Sequence, residues 1–266
     1  METEYFNGLL DFHTHSTSSD GSCTPSELVA HAKEKGVTCL ALTDHNTTSG
    51  LAEFAVACKS NNILAIPFGV EIYAELPAGL AKKGENDSPD LVILGRDVNP
   101  ASFQDYTQIL LKYQREIWLP QTLDCLQELG FSIPAYNSDT QFSSGVPRIL
   151  HSFIYHHHNL AVLIGLLRER GIVFNEEETR RNPVPSLNRH LYSIGCPAYV
   201  RRIKDFTVKH AVNLAQDMGA KIFVAHPGGE YGSLSDSVLE YYVTQGINGI
   251  EVRNYFNTPQ QNSRLD

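Results

Sequence analysis

The stretch Leu9-Leu10-Asp11-Phe12-His13-Thr14-His15 ends an apolar run on two histidines, and Ser19-Asp20-Gly21 follows it closely. Side chains two residues apart in a β-strand point the same way, so we expect His13 and His15 to project together from one strand end. Two imidazoles beside a carboxylate are donors that suit a first-row metal ion. Because a lone histidine more often packs in a core or caps a turn, the prediction needs partners from elsewhere in the chain.

Three other apolar runs end in the same manner. The run 39–43 reaches Asp44 and His45, the run 63–70 reaches Glu71, and the run 222–225 reaches His226. In a parallel α/β barrel, ligands and catalytic groups collect at the C-terminal ends of the strands. The sequence therefore predicts one shared site built from four separate strands, with Asp44 expected to orient His45 rather than to bind an ion itself.

The composition sets limits on the class of protein. The 266 residues are 42% hydrophobic and 19% charged, which suits one large domain or a domain with an insertion. A formal charge of -9 argues against a broad footprint on a long nucleic-acid duplex, although bound cations would still allow a small phosphorylated substrate.

The sequence also predicts a cellular location. Residues 1–10 lack a basic-then-apolar signal, and no apolar stretch approaches the roughly 20 residues of a membrane span. The five scattered cysteines include no C-x-x-C pair, which suits reduced thiols. We therefore expect a cytoplasmic protein without a membrane partner.

Strand and helix signals alternate over residues 1–100. Helices are predicted over 25–35, with Thr24 as N-cap and Gly36 as stop, and over 50–60, with a further strand over 91–95. Alternation of this kind predicts a mainly parallel sheet with helical crossovers.

The stretch 101–202 differs, because helical periodicity dominates it over 101–129 and 148–170, with a polar break at 175–188. We interpret 101–202 as a helical insertion or lid within a discontinuous barrel of residues 1–100 and 203–266. The alternation then returns, with helices predicted over 205–216 and 235–244 and strands over 221–225 and 248–252.

Five motifs occur in a recognisable order: D-F-H-T-H-S-x-x-S-D-G at 11–21, T-D-H at 43–45, G-V-E at 69–71, A-H-P at 225–227 and G-I-E-V at 249–252. Together they resemble the PHP family, named after polymerase and histidinol phosphatase. The similarity is greatest to small metal-dependent phosphoesterases that act on nucleotides or short oligonucleotides.

The resemblance implies an α/β fold, a distorted (β/α)7 TIM-like barrel (the PHP fold) with a helical insertion. It also implies two or three divalent metal ions at the C-terminal rim, with manganese, iron and zinc all compatible with the donors. By motif position, His13, His15 and Glu71 would hold one ion, Glu71 would bridge to a second ion on His226, and Asp20 and His45 would hold a third. The expected reaction is hydrolysis of a phosphate ester by metal-bound hydroxide.

Two departures from the family pattern stand out. Relatives usually carry a histidine in the fourth strand, where this chain has Val92, and His190 is a candidate substitute. The family also ends its site with a G-S-D-x-H motif, which does not occur before Asp266. Either the sequence lacks its natural C-terminal end, which we favour because an open barrel leaves an unpaired sheet edge, or two ions are under-coordinated.

An arginine that orients the phosphate is also expected, and Arg148 is the first candidate, with an ordinary surface arginine as the alternative. For the activity, we expect hydrolysis of a nucleotide mono- or bisphosphate or a short oligonucleotide. The alternatives are a phosphomonoesterase of the histidinol-phosphate type and a non-catalytic relative that binds metal or ligand.

Overall fold

The structure, a computed structural model, describes residues 8–98, 101–132, 157–181, 183–227 and 235–252. Its strands are β1 (Leu9–Asp11), β2 (Val37–Leu40), β3 (Leu64–Ala65), β4 (Phe68–Tyr73), β5 (Asp90–Gly95), β6 (Lys221–Val224) and β7 (Gly249–Ile250). Its α-helices are α1 (Pro25–Glu34), α2 (Leu51–Asn61), α3 (Ala101–Tyr113), α4 (Leu119–Glu128), α5 (His157–Glu169), α6 (Glu176–Arg181), α7 (Pro183–Leu191), α8 (Val208–Asp217) and α9 (Asp236–Gln245), and a π-helical turn (Gln114–Trp118) joins α3 to α4.

The helix ends follow the local sequence signals. Thr24 caps α1 through a reciprocal capping box with Glu27, and a proline occupies the first turn, as predicted. Thr207 caps α8 by accepting a hydrogen bond from the backbone N–H of His210. Gly246 ends α9 at a φ of 89°, a left-handed conformation that favours glycine.

The strands form two sheets, one ordered β1-β2-β3 and the other β4-β5-β6-β7. The prediction of parallel strands holds within the first sheet and for β6 with β7, but it is wrong for β5, which runs antiparallel to both β4 and β6. The reason lies in the connection, because the chain returns from β4 to β5 without a crossover helix.

The apolar run 63–70 was predicted as one strand, but it divides between the two sheets. β3 pairs with β2, whereas β4 pairs with β5, and Pro67 stands between them without an N–H to donate to a ladder. The segment after β2 contacts β4 of the second sheet. His45 and Glu71 form a parallel bridge there, and the Asn46 N–H donates to the Glu71 carbonyl at 2.8 Å. Among the described strands, no pairing between β7 and β1 closes the two sheets into a barrel.

Three clusters of buried side chains hold the elements together. One lies against the second sheet and includes Ile72, Ile93 and Val212, and a smaller one lies between β2 and helices α1 and α2. A third cluster belongs to the helical region and centres on Leu126, Leu163 and Leu187. The helical region therefore has its own core.

The helical region differs from its prediction in two respects. Helix α3 packs on the second sheet through Phe103, Tyr106 and Leu110. The first helix of the helical region therefore belongs to the core of the sheet. The predicted polar break over 175–188 is wrong, because α6 and most of α7 lie there. The apolar positions of α7, such as Leu187 and Leu191, are fully buried, which stabilises a helix of otherwise polar sequence.

A pair of neighbouring arginines ties the chain before α8 to the β4–β5 hairpin. The Arg201 guanidinium donates to the buried carboxylate of Asp87 at 2.7 Å, and the Tyr199 hydroxyl donates to the same oxygen at 2.5 Å. Arg202 pairs instead with Asp90 at 3.0 Å. The two carboxylates thus hold the segment 199–202 beside the second sheet.

Among the described residues, no helix has the length and apolar character needed to cross a membrane.

The separate helical core gives a stability prediction. Leu163→Ala should lower the free energy of unfolding by about 2–5 kcal/mol, because Leu163 is fully buried in that core and its truncation leaves a cavity. Chemical denaturation measures the change. The adjacent Val162, which is 38% exposed, supplies the control, and Val162→Ala should stay within about 0.5 kcal/mol of the parent. Equal effects of the two substitutions would contradict the assignment of this core.

Candidate metal centre

The six predicted ligands come together on one side of the joined sheets. His13 and His15 follow β1, His45 follows β2, and His226 follows β6. Glu71 lies within β4 and is completely buried. Asp20, the sixth, lies in the loop before α1. The prediction that distant strand ends converge on one place agrees with this geometry, while the ligand roles themselves stay predictions.

Glu71 is the centre of the group. Its Oε2 atom lies 3.3 Å from His13 Nε2, 3.2 Å from His15 Nε2 and 3.1 Å from His45 Nδ1. Its Oε1 atom lies 3.2 Å from His226 Nε2. The Nε2 atoms of His13 and His15 are themselves 3.1 Å apart. One carboxylate therefore collects four imidazoles.

Asp20 lies at the outer side of this group. Its two oxygens are each 3.5 Å from an imidazole nitrogen, one from His15 Nδ1 and the other from His45 Nε2. Gly21 allows the tight loop, because a Cβ atom there would lie 2.3 Å from the His15 carbonyl oxygen. The S-D-G sequence thus brings a carboxylate back toward the histidines of the preceding strand.

Two buried atoms of the centre have no hydrogen-bond partner, namely His45 Nδ1 and Glu71 Oε2. The two atoms lie 3.1 Å apart. Two ligand atoms on one ion of the zinc type lie roughly 3–3.5 Å apart, given bonds of about 2.1 Å. The donor set and its spacing fit divalent ions, with one group of His13, Glu71 and His226 and another of His15, His45 and Glu71.

The electrostatics point in the same direction. Burial alone would lower the pKa of His45, but the carboxylates of Glu71 and Asp20 raise it to about 9. Burial likewise opposes protonation of His13, yet Glu71 and Glu251 raise its pKa well above the ordinary value. Despite its own burial, Glu71 has a pKa held well below its usual range by His45 and His13. The buried carboxylate thus requires positive charge beside it, which protons or a metal ion can provide.

Glu251 is a candidate site residue that the sequence reasoning missed. Its Oε2 atom lies 3.2 Å from His13 Nδ1 and accepts the His226 N–H at 2.8 Å. A carboxylate on Nδ1 favours the tautomer that leaves Nε2 of His13 bare toward Glu71. The signal was available, because Glu251 directly follows the end of β7, as the other candidates follow their strands.

Asp44 has a different role from the one predicted. It was expected to orient His45, but its buried carboxylate accepts hydrogen bonds from the Ser16 N–H at 2.7 Å and from the Ser16 and Ser19 hydroxyls at 2.7 and 2.6 Å. These bonds hold the loop that carries Asp20. Asp44 therefore acts on the centre through that loop.

The remaining candidates lie in other places. His190 packs edge-on against Phe174 in the helical region, at 4.6 Å between ring centroids. Val92 is buried directly across from Glu71, so an apolar side chain faces the centre there. Arg148 lies outside the described residues.

This chain is similar to known proteins in both sequence and structure. The PHP domain matches residues 11–167, more than half of the chain. A 5'-3' exoribonuclease of Haemophilus influenzae is 50% identical over 62 residues, which are 23% of this chain and 22% of that protein. A 3',5'-nucleoside bisphosphate phosphatase of Chromobacterium violaceum is 46% identical over 65 residues, 24% of this chain and 22% of that protein. The alignments thus span about a fifth of the length of these curated relatives.

Two solved structures share the fold. One, from Bifidobacterium adolescentis and assigned as a metal-dependent phosphoesterase, has a TM-score of 0.63 at 20% identity and covers 96% of this chain and 81% of its own. The other, an amidohydrolase from Chromobacterium violaceum with bound sulfate, has a TM-score of 0.62 at 22% identity, with 96% and 80% coverage. At this identity the likeness concerns the α/β fold. With the five motifs, the strand-end cluster and the domain match in agreement, the chain belongs to the PHP domain family.

Proposed function

We propose that this protein is a metal-dependent phosphoesterase that hydrolyses a small phosphorylated substrate, either a nucleotide mono- or bisphosphate or a short oligonucleotide. The observation that carries the proposal is the completely buried Glu71 carboxylate with four imidazole nitrogens within 3.3 Å of its oxygens. Such a concentration of imidazole nitrogens around one buried carboxylate is typical of sites that bind metal cations.

The ligands are proposed as follows. His13, His15 and Glu71 would hold one ion, and Glu71 and His226 would hold a second. Asp20 and His45 hold a third. Support comes from the distances of 3.1–3.3 Å among the Nε2 atoms of His13 and His15 and Oε2 of Glu71, and from the position of Asp20 between His15 and His45.

Bound divalent ions supply Lewis acidity, an activated water and a clamp for the attacking and leaving oxygens at phosphorus. The chain's own groups provide the frame. Four histidines donate neutral nitrogens, Glu71 and Asp20 offset part of the added charge, and Glu251 holds His13 in the competent tautomer. Manganese, iron and zinc all accept these donors, and their number is proposed as two or three.

The substrate class is proposed from two considerations. Relatives named as an exoribonuclease and as a nucleoside bisphosphate phosphatase act on phosphorylated nucleotides or RNA by their names. The net charge of -9 disfavours a long duplex. Arg148 stays the proposed phosphate-orienting residue.

We also propose that the two sheets belong to a distorted (β/α)7 barrel made by residues 1–100 and 203–266, covered by the helical stretch 101–202. The His45–Glu71 bridge, which joins the sheets, supports this arrangement. So does the Glu251–His13 contact, which brings the end of β7 close to the end of β1. The separate core of the helical region supports its role as a distinct cover, with α3 packed on the sheet side.

Activity is expected to depend on both metal and the clustered histidines. Chelator-treated protein should lose phosphate release from nucleoside 3',5'-bisphosphates and regain it with Mn²⁺, Fe²⁺ or Zn²⁺. His13→Ala should lower the rate by at least about 100-fold, since it removes a donor that no neighbour replaces. The assay measures inorganic phosphate with bisphosphates, monophosphates, short oligonucleotides and histidinol phosphate in parallel.

His31, an exposed histidine on α1, provides the matched control, and His31→Ala should keep the parent rate. Turnover confined to histidinol phosphate would replace the proposed substrate class. Tight metal binding without turnover of any substrate would favour the non-catalytic alternative. Undiminished activity in folded His13→Ala protein would overturn the proposed centre.

Glu251 gives a second test of the centre. Glu251→Gln should weaken metal binding by about 10–100-fold. The reason is that the uncharged amide holds the proton on His13 Nδ1, and with it the His13 tautomer, less firmly than the carboxylate does. Isothermal titration calorimetry with Mn²⁺ on metal-free protein measures the change. Glu53→Gln, on exposed α2 surface, should bind as the parent does. Parent-like affinity in Glu251→Gln would show that His13 is oriented by other contacts.

A further inference from the structure

We infer that Asp90 is a further metal ligand, which completes the ion position shared by Glu71 and His226 on the side where Val92 offers no donor. The inference rests on the proposed metal-dependent function and adds to it a residue from the first position of β5. It follows from the face of the sheet that Asp90 occupies, from its distance to His226, and from the way its two oxygens are used.

The sheet register places Asp90 on the face that carries the metal centre. Val92 is paired directly with Glu71, and Asp90 is paired with Tyr73. Residues two apart on a strand share a face, so Asp90, Val92, Glu71 and Tyr73 all project to the same side. Asp90 and Glu71 are then diagonal neighbours on one face of the sheet.

His226 lies between these two carboxylates. Its Nε2 atom is 3.2 Å from Glu71 Oε1 and 4.0 Å from Asp90 Oδ2. The longer distance exceeds the spacing of neighbouring ligands but is close to the roughly 4.2 Å between opposite ligands of an octahedral ion with bonds of about 2.1 Å. An octahedral ion bound to His226 Nε2 could therefore also be reached by Asp90 Oδ2.

The two oxygens of Asp90 are not equivalent. Arg202 donates to Oδ1 at 3.0 Å, but its bond to Oδ2 is long, at 3.5 Å. The more weakly held oxygen is the one that faces His226. A carboxylate can accept from a guanidinium with one oxygen and bind an ion with the other, so the ion pair and the metal contact are compatible.

Burial adds a reason for a cation. Asp90 is only 4% exposed, and a buried carboxylate needs compensation from charge and hydrogen bonds. The Arg202 guanidinium is shared, because it also lies over the Tyr73 ring at 4.6 Å from the centroid. The neighbouring pair differs, since the single Asp87 oxygen Oδ2 accepts hydrogen bonds from both Arg201 and Tyr199.

The test uses the full chain, stripped of metal and titrated with Mn²⁺, with bound manganese counted by elemental analysis and affinity measured by calorimetry. Asp90→Asn should lose one bound ion per chain or bind it at least about tenfold more weakly. Asp87→Asn, the matched control in the same hairpin, should bind as the parent does.

Arg202→Gln separates a ligand role from a purely structural ion pair. Arg202→Gln leaves the Asp90 carboxylate in place, so this variant should keep the metal content of the parent. Because the buried carboxylate has then lost its guanidinium partner, Mn²⁺ should raise the unfolding temperature of the variant more than that of the parent. The double variant Asp90→Asn/Arg202→Gln, which leaves no unpaired charge, should bind metal as Asp90→Asn does. This variant keeps the test valid if the single Asp90 change impairs folding.

Parent-like metal number and affinity in Asp90→Asn would overturn the inference and leave the proposed function intact. Equal loss of metal in Asp90→Asn and Arg202→Gln would also overturn it, since the pair would then act as a structural unit. Failure of the parent protein to bind Mn²⁺, Fe²⁺ or Zn²⁺ at all would instead remove the proposed function and this inference together.

Discussion

The burial of one carboxylate, Glu71, is the constraint on which the rest of this structure depends. Its backbone bridges to His45 and so joins the two sheets, while its side chain lies among four imidazoles. A buried carboxylate without compensation would destabilise the fold by several kcal/mol. Here the same residue connects the sheets and supplies the negative charge in the middle of the proposed centre, so the fold and the proposed function meet at one position.

Residues around the proposed centre hold its members in position through hydrogen bonds. Asp44 holds the Ser16–Ser19 turn, which places Asp20, and Glu251 holds both the His13 ring and the backbone of His226. Tyr106 on α3 donates to the Asn46 side chain at 2.7 Å and accepts the Tyr73 N–H at 3.0 Å. The residues beside His45 and Glu71 are therefore positioned by a helix that the sequence alone assigned to the lid.

The hairpin that carries Asp87 and Asp90 gives adjacent arginines two different environments. Arg201 belongs to a closed network with Tyr199, whereas Arg202 and Asp90 stand beside Tyr73 and His226. The two neighbouring ion pairs therefore have different surroundings, and the Asp90 carboxylate is the one that lies near the proposed centre. Position relative to the sheet face decides which carboxylate can reach an ion, and the face is set by strand register.

The sequence by itself determined which residues would meet, because His13, His15, His45, Glu71 and His226 each end or follow an apolar run and strand ends gather at one edge. It also determined the helix cap at Thr24, which depends on local chemistry. Only the tertiary structure decided that β5 runs antiparallel, that α3 packs on the sheet, and that Glu251 and Asp90 face the centre. Those features arise from pairings between residues far apart in the chain, and local periodicity carries no information about register or strand direction.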